Sequence, residues 1–366
     1  MGSGTPSSKE ISFHNDNAIP HGRRLLPIVV EELATTDPDH ILGMAAKSAN
    51  ISLGFDSLTV SQLSRAVNYT AHWLDFILGE VPAGTFLPIA FIGTQDFRYW
   101  VIELAAIKTS RPMLLPSTSN ALPNTISLLS DVGTKTLFYT SSISTQAHAL
   151  QNLVPDLTIH EIPTLNQMLI TPTTPYPYTK TYDEAKNDQI IIVHTSGSTG
   201  APKPIYYTNA WIRRIDSDIF TPPVPGRQLA NLTLLGRKKL NFLGTPFFHL
   251  SGIVFGFTSI FPQSTIVFGP PNVPVTANLA CEIAKNVKLA GLLTVPSLLD
   301  RIFANHGQRE ELQGYLGSLE HILWFGGPLA NSTGDWIVQN MDVVLWQILG
   351  STEMAWFPLL VAPKSH

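Results

Sequence analysis

Short runs of β-branched and aromatic residues alternate with amphipathic segments along most of this chain, and a chain patterned this way has few ways to fold. The clearest helix comes first. Val60, Leu63, Ala66, Val67, Ala71, Leu74, Ile77 and Leu78 recur at steps of three and four, with Thr59 placed to cap the start and Gly79 to end it. Apolar runs follow at residues 86–92, 113–115 and 136–139, with helical patterns over 97–108 and 122–129 between them. After a Pro/Thr-rich stretch at 171–181 the alternation resumes, with runs at 190–193, 242–245, 265–268, 291–295, 322–325 and 343–348. Helical patterns begin at Gly252 and cover 277–287, 297–303 and 333–340. Strands apolar on both faces need cover on both. The expectation is an α/β fold of mostly parallel sheets coated by helices, as two packed α/β subdomains with an internal boundary near 171–189. Residues 1–22 are Ser-, Gly- and Asn-rich without an apolar period and read as a flexible tail, which leaves 23–366 as the folded unit.

Composition removes several function classes. Charged residues are 14% and hydrophobic residues 44% of the 366, so charge repulsion does not keep this chain unfolded. Twenty-three Lys and Arg against 27 Asp and Glu give a net charge of −4, with no basic excess for a nucleic-acid backbone. One cysteine, Cys281, rules out an intramolecular disulfide framework and a cysteine-based zinc site. The N-terminus lacks a basic-then-apolar signal pattern, and the most apolar stretch, 250–261, is interrupted by Ser251, Gly252, Gly256 and Thr258. These features predict a cytoplasmic protein that neither spans a membrane nor binds nucleic acid.

The chemistry is concentrated in residues 190–203, where a buried strand runs into His194-Thr195-Ser196-Gly197-Ser198-Thr199-Gly200-Ala201-Pro202-Lys203. Gly197 and Gly200 let backbone N–H groups approach an anion, the hydroxyls of Ser196, Ser198 and Thr199 add donors, and Lys203 adds charge. This is a phosphate cradle. It differs from the P-loop of kinases and GTPases, where the lysine follows a glycine and opens a helix; here Lys203 stands between Pro202 and Pro204.

Thr195 to Lys203, Thr-Ser-Gly-Ser-Thr-Gly-x-Pro-Lys, resembles at all nine positions the phosphate-loop signature of the acyl-adenylate-forming, AMP-binding superfamily. Phe325-Gly326-Gly327-Pro328-Leu329 and Gln347-Ile348-Leu349-Gly350-Ser351-Thr352-Glu353 follow in that family's order. In the N-terminal half Gly22-Arg-Arg-Leu-Leu-Pro27, Asp96-x-Arg98-Tyr99 and Leu104-Ala-Ala-Ile-Lys108 look like the adenylation domain of fungal peptide-synthetase-like reductases, which chain adenylation, carrier and reductase domains. The resemblance implies ATP and Mg²⁺ as cofactors, a small carboxylic acid as substrate and a phosphopantetheine carrier domain as partner. It assigns the phosphates to Thr195–Gly200 and Lys203, the adenine to Gly326, Gly327 and Pro328, and the phosphates and magnesium to Gly350, Ser351, Thr352 and Glu353, with Glu353 as metal ligand. His249 aligns with a residue set against the substrate carboxylate, so His249, Lys203, Thr352 and Glu353 are the implied catalytic set. Leu250 and Gly326 complete the implied substrate pocket. Relatives that activate α-amino acids carry an aspartate at position 250 for the substrate ammonium, whereas an ammonium beside Leu250 would be left unpaired. The substrate is therefore expected to lack an α-amine, as aryl, α-keto or aliphatic acids do.

After Glu353 the family continues with a Tyr-x-Thr-Gly-Asp segment and a small lid domain, neither of which occurs before His366. The chain is thus expected to be the large N-terminal part of such an enzyme. That leaves a second reading, a catalytically incomplete nucleotide-binding or interaction protein.

Overall fold

The computed structural model describes residues 21–195, 200–218, 224–229, 236, 238–304, 314–357 and 360–361. The chain opens with α1 (Leu26–Thr36), the strands β1 (Ile41–Ala46) and β2 (Phe55–Thr59), and α2 (Val60–Leu78). Then come β3 (Ile89–Ile92), α3 (Arg98–Lys108), β4 (Met113–Leu114), α4 (Leu122–Val132), β5 (Thr136–Tyr139), α5 (Ser144–Leu153) and β6 (Thr158–Glu161). Two short helices, α6 (Leu165–Ile170) and α7 (Tyr182–Ala185), lead to β7 (Gln189–His194), β8 (Pro204–Thr208) and α8 (Asn209–Asp218). After β9 (Gln228–Leu229) follow β10 (Leu240–Leu243), α9 (Leu250–Phe255), β11 (Thr265–Phe268), α10 (Ala277–Asn286), β12 (Gly291–Thr294), α11 (Pro296–Phe303) and β13 (His321–Phe325). The Asn331–Asn340 helix, β14 (Val344–Ile348), β15 (Gly350–Ser351) and β16 (Ala355–Trp356) come last before Leu360–Val361, which pairs with β9.

Among the described residues, seven strands form one sheet in the order β14-β13-β12-β10-β11-β1-β2 and six form another in the order β6-β5-β3-β4-β7-β8. Both are parallel except at one edge, where β2 and β8 run antiparallel to β1 and β7. The α/β expectation holds. Sheet membership does not follow the linear order of the chain. β1 pairs with β11, more than 200 residues later, and β7, which follows the Pro/Thr-rich stretch, lies in the sheet built by β3 to β6. The β1–β2 hairpin has no counterpart in the expected strands, because its partner is remote in sequence and β2 alternates poorly, burying Leu58 while Asp56 and Ser57 face solvent.

One core joins the sheets. α3 is buried at every residue from Tyr99 to Lys108. The rings of Phe97 and Trp100 meet those of Phe247 and Phe268, which follow β10 and end β11. Gly43 of β1 is required by this packing, since a Cβ there would lie 2.5 Å from the Phe97 ring. α2 has the boundaries its sequence signals give: Thr59 accepts from the N–H of Gln62 at 3.3 Å, the Gln62 side chain accepts from the N–H of Thr59 at 2.9 Å, and Gly79 ends the helix at φ +76°. Trp346 is buried in the shared core and Trp324 packs against the second core, so both serve packing. Among the described residues no helix is long and apolar enough to cross a membrane.

Candidate functional site

In open parallel sheets ligands bind outside the carboxyl ends of the strands, because the loops leaving those ends converge there. The sequence motifs lie on such loops. Thr195 to Lys203 leaves β7, Gly244 to His249 leaves β10, Gly326 to Pro328 leaves β13, and Leu349 to Glu353 leaves β14. Polar contacts tie the ends of the two sheets together. Gln95, after β3, donates from Nε2 to the Thr245 carbonyl at 3.3 Å, and Thr94 Oγ1 donates to Asn272 Oδ1, after β11, at 3.2 Å.

The base of the phosphate loop is a closed hairpin: the N–H of Thr195 donates to the Lys203 carbonyl at 3.1 Å and that of Lys203 to Thr195 Oγ1 at 3.3 Å. Lys203 is exposed and forms no ion pair with a described residue, so its ammonium is available to an anion. A Cβ added at Gly200 would meet no atom within 4 Å. Ser196, Gly197, Ser198 and Thr199 lie outside the described residues.

His194, at the end of β7, is buried, with Nδ1 3.1 Å from the Thr195 carbonyl and Nε2 accepting the N–H of Ser117 at 3.0 Å. This pairing uses the neutral ring. Burial depresses its pKa, and the hydrogen bond to Thr195 only partly offsets that. The contact shows what the turn at 116–120 does in this chain: it braces the entry to the phosphate loop. His249 stands at the N-cap position of α9, exposed and without a side-chain capping bond. Partial desolvation, with His194 nearby, holds His249 below the ordinary histidine value. Leu250, half-buried, packs against the shared core.

At the Phe325 turn Gly326 has φ +87°, a conformation that favours glycine. The nearest atoms to a Cβ at Gly326 or Gly327 are Val295 Cγ1 and Pro296 Cγ, each 3.9 Å away, so the turn is open on its side-chain face. Gln347 Nε2 donates to the Gly327 carbonyl at 3.5 Å and links this turn to β14. Gly350 serves its own hairpin, since a Cβ there would lie 2.3 Å from the Ala355 carbonyl. Ser351 Oγ accepts from the N–H of Met354 at 3.3 Å. These contacts shape a β15–β16 turn with Thr352 and Glu353 at its tip. The Glu353 carboxylate is exposed there. A single free carboxylate suits magnesium, which completes its shell with phosphate oxygens and water.

Two features escaped the sequence reading. Gly22-Arg-Arg-Leu-Leu-Pro27 is a latch on α8. The N–H of Gly22 donates to Asp216 Oδ2 at 2.6 Å, Arg24 Nε donates to the same oxygen at 3.1 Å, and His21 Nδ1 lies 3.1 Å from Oδ1. Burial raises the Asp216 pKa, but these partners outweigh it and leave the carboxyl below its usual range. Tyr207 of β8 is the second: it donates to the Thr352 carbonyl at 2.6 Å. Its sequence signal was only an aromatic residue among Pro204-Ile-Tyr-Tyr-Thr208.

Fold and site together define a class: a two-sheet α/β domain with glycine-rich loops gathered at the carboxyl ends of its strands. The family model of the AMP-binding enzyme matches residues 39–364, and the chain belongs to that family, as an adenylate-forming ligase by descent. The chain is 28% identical over 357 residues to the isocyanide synthase-NRPS hybrid crmA of Aspergillus fumigatus, covering 96% of this chain and 22% of that protein. It is 27% identical over 341 residues to a carboxylic acid reductase of Neurospora crassa, covering 93% of this chain and 32% of that one. The chain thus spans between a fifth and a third of the length of these relatives. In fold it is similar to the N-terminal domain of FACL13 from Mycobacterium tuberculosis, with a TM-score of 0.72 at 17% identity over 90% of this chain and 76% of that one. The N-terminal subdomain of Klebsiella oxytoca NpsA gives a TM-score of 0.69 at 18% identity, covering 94% of this chain and 77% of that chain.

Proposed function

We propose that residues 23–366 act as an adenylation module that joins a carboxylic acid lacking an α-amine to the α-phosphate of ATP and releases pyrophosphate. The observation that carries this reading is the arrival of the closed hairpin base at Thr195 and Lys203, the open Gly326–Gly327 turn and the Thr352–Glu353 turn on loops that leave the carboxyl ends of the strands, with Tyr207 of β8 bonded to the last. In this reading a carboxylate oxygen bonds to the α-phosphorus as the bond from phosphorus to the bridging oxygen breaks. The nucleophile is already an anion at neutral pH, so no residue has to remove a proton. The protein's task is positioning and charge neutralisation.

The phosphate loop, with Ser196 to Thr199 at its centre and Lys203 at its base, would hold the β- and γ-phosphates. Gly326, Gly327 and Pro328 would receive the adenine. Glu353, with Thr352 and Ser351 beside it, would hold magnesium, which when bound neutralises phosphate charge. His249, neutral at pH 7, can line the acid's carboxylate as a hydrogen-bond donor, and Leu250 beside it offers an ammonium no anion. The relatives' names, a peptide-synthetase hybrid and a carboxylic acid reductase, support a carboxylic acid as the substrate, and the resemblance to peptide-synthetase-like reductases supports a phosphopantetheine carrier as its acceptor.

Pyrophosphate–ATP isotope exchange on the 366-residue chain, with separate pools of aryl, α-keto, aliphatic and α-amino acids, tests this. Exchange dependent on one of the first three pools is the expected result. Exchange with the α-amino pool alone would overturn the substrate class, and silence in all four would overturn acid activation by this chain.

A further inference from the structure

The turn that carries Thr352 and Glu353 has little packing of its own. It is reached by strands of two residues, and Glu353 and Met354 at its tip are exposed. Among the described residues, a contact from β8 holds its backbone. Tyr207 lies on β8, the strand that returns from the phosphate loop, four positions beyond Lys203. Its ring is buried, at 1% exposure, and its hydroxyl reaches the Thr352 carbonyl. The ring lies flat on Trp211 of α8, with centroids 3.7 Å apart and planes 4° from parallel. Trp211 in turn meets Trp356 edge-on at 5.9 Å, and Trp356 closes the hairpin opposite Gly350. The Arg214 guanidinium covers Trp356 at 5.8 Å. An aromatic column therefore runs from β8, where Tyr207 pairs with Ile191 of β7, to the turn, and at its inner end a phenol does what an aliphatic residue could not.

We propose that Tyr207 is a positioning residue that holds the Thr352–Glu353 turn to β8, the strand that begins directly after Lys203, so that a metal held at Glu353 meets phosphate held at Lys203. The proposal rests on the adenylation reading above. It assigns Tyr207 no contact with nucleotide, so its effect belongs to the cooperation between metal and phosphate and not to nucleotide binding in general.

The test is ATP affinity of the full chain by titration calorimetry, with saturating Mg²⁺ and with EDTA, for the unsubstituted protein, Tyr207→Phe, Glu353→Gln and the double variant. Tyr207→Phe removes one oxygen and keeps the stack, and the near-UV circular dichroism of the Tyr207–Trp211 pair reports that it is intact. The expected result is an unchanged affinity in EDTA and a Mg²⁺-dependent gain reduced about fivefold, the size set by one hydrogen bond. In the double variant the gain should be no smaller than in Glu353→Gln alone, because both changes act through one turn. An equal fall in both media would mean a merely structural tyrosine, and an undiminished gain would mean no role; either overturns the proposal. Failure of the unsubstituted chain to bind MgATP would instead bring down the adenylation reading, and the proposal with it.

Discussion

The seven-stranded sheet uses glycine for opposite purposes at its two ends. At the carboxyl end Gly326 and Gly327 face space, with the nearest protein atom 3.9 Å from where a Cβ would stand. At the amino end Gly291 opens β12 between Asn241 of β10 and His321 of β13, and a Cβ there would lie 2.1 Å from both Asn241 Oδ1 and His321 Nε2. One glycine makes way for the protein's own side chains and the others make way for something else. An end filled by its own side chains should answer to stability measurements, and an end left open should answer to ligand.

The largest effect expected is at Gly291. Gly291→Ala should cost about 3 kcal/mol, the upper range for overpacking, because neither buried neighbour has room to move. Urea denaturation would read the loss, and ATP affinity of the protein that remains folded should not change. A stable Gly291→Ala variant would break the comparison.

Next comes the pH dependence of the same niche. Burial, with Lys239 nearby, lowers the His321 pKa to about 4. An unfolded histidine titrates near 6.5, so between these values the unfolded chain takes up a proton that the folded chain refuses. The contribution is complete above pH ~6.5 and is lost as pH falls through ~4, by up to about 3 kcal/mol. His321→Gln should flatten the fall in stability measured between pH 7 and pH 4.5. Some slope will persist, since His194 and His249 are shifted in the same direction.

The smallest effect on folding is expected at the other end. Gly327→Ala should change stability by less than about 0.5 kcal/mol, as at most surface sites. It should nonetheless weaken ATP binding about tenfold, because the added methyl stands where a base would lie. Calorimetric titration of the variant sharpens the contrast, and a loss of stability without a loss of affinity would reverse it.

The sequence disclosed whatever was local. The caps at Thr59 and Gly79 and the apolar runs of β5 and β11 are each contained within a few residues of chain, and each lies in the structure where that pattern puts it. What it hid depends on residues far apart. Gly291 resembles any other glycine until Asn241 and His321 are brought to either side of it, 50 residues earlier and 30 later. The pairing of β1 with β11, the latch of Gly22 and Arg24 on Asp216, and the reach of Tyr207 to Thr352 are all long-range pairings of this kind. The motifs name the residues proposed to bear the chemistry, whereas what holds the described ones in place became visible only when the chain was folded.

The most direct measurement is MgATP binding by calorimetric titration, with the unsubstituted chain beside Lys203→Ala. Removing a charged partner of phosphate costs roughly 1.5–3 kcal/mol, so saturable binding that weakens by about ten- to a hundredfold in the variant is the result expected if the carboxyl end is the nucleotide site. Binding that is absent from the unsubstituted chain, or that Lys203→Ala leaves unchanged, would contradict it.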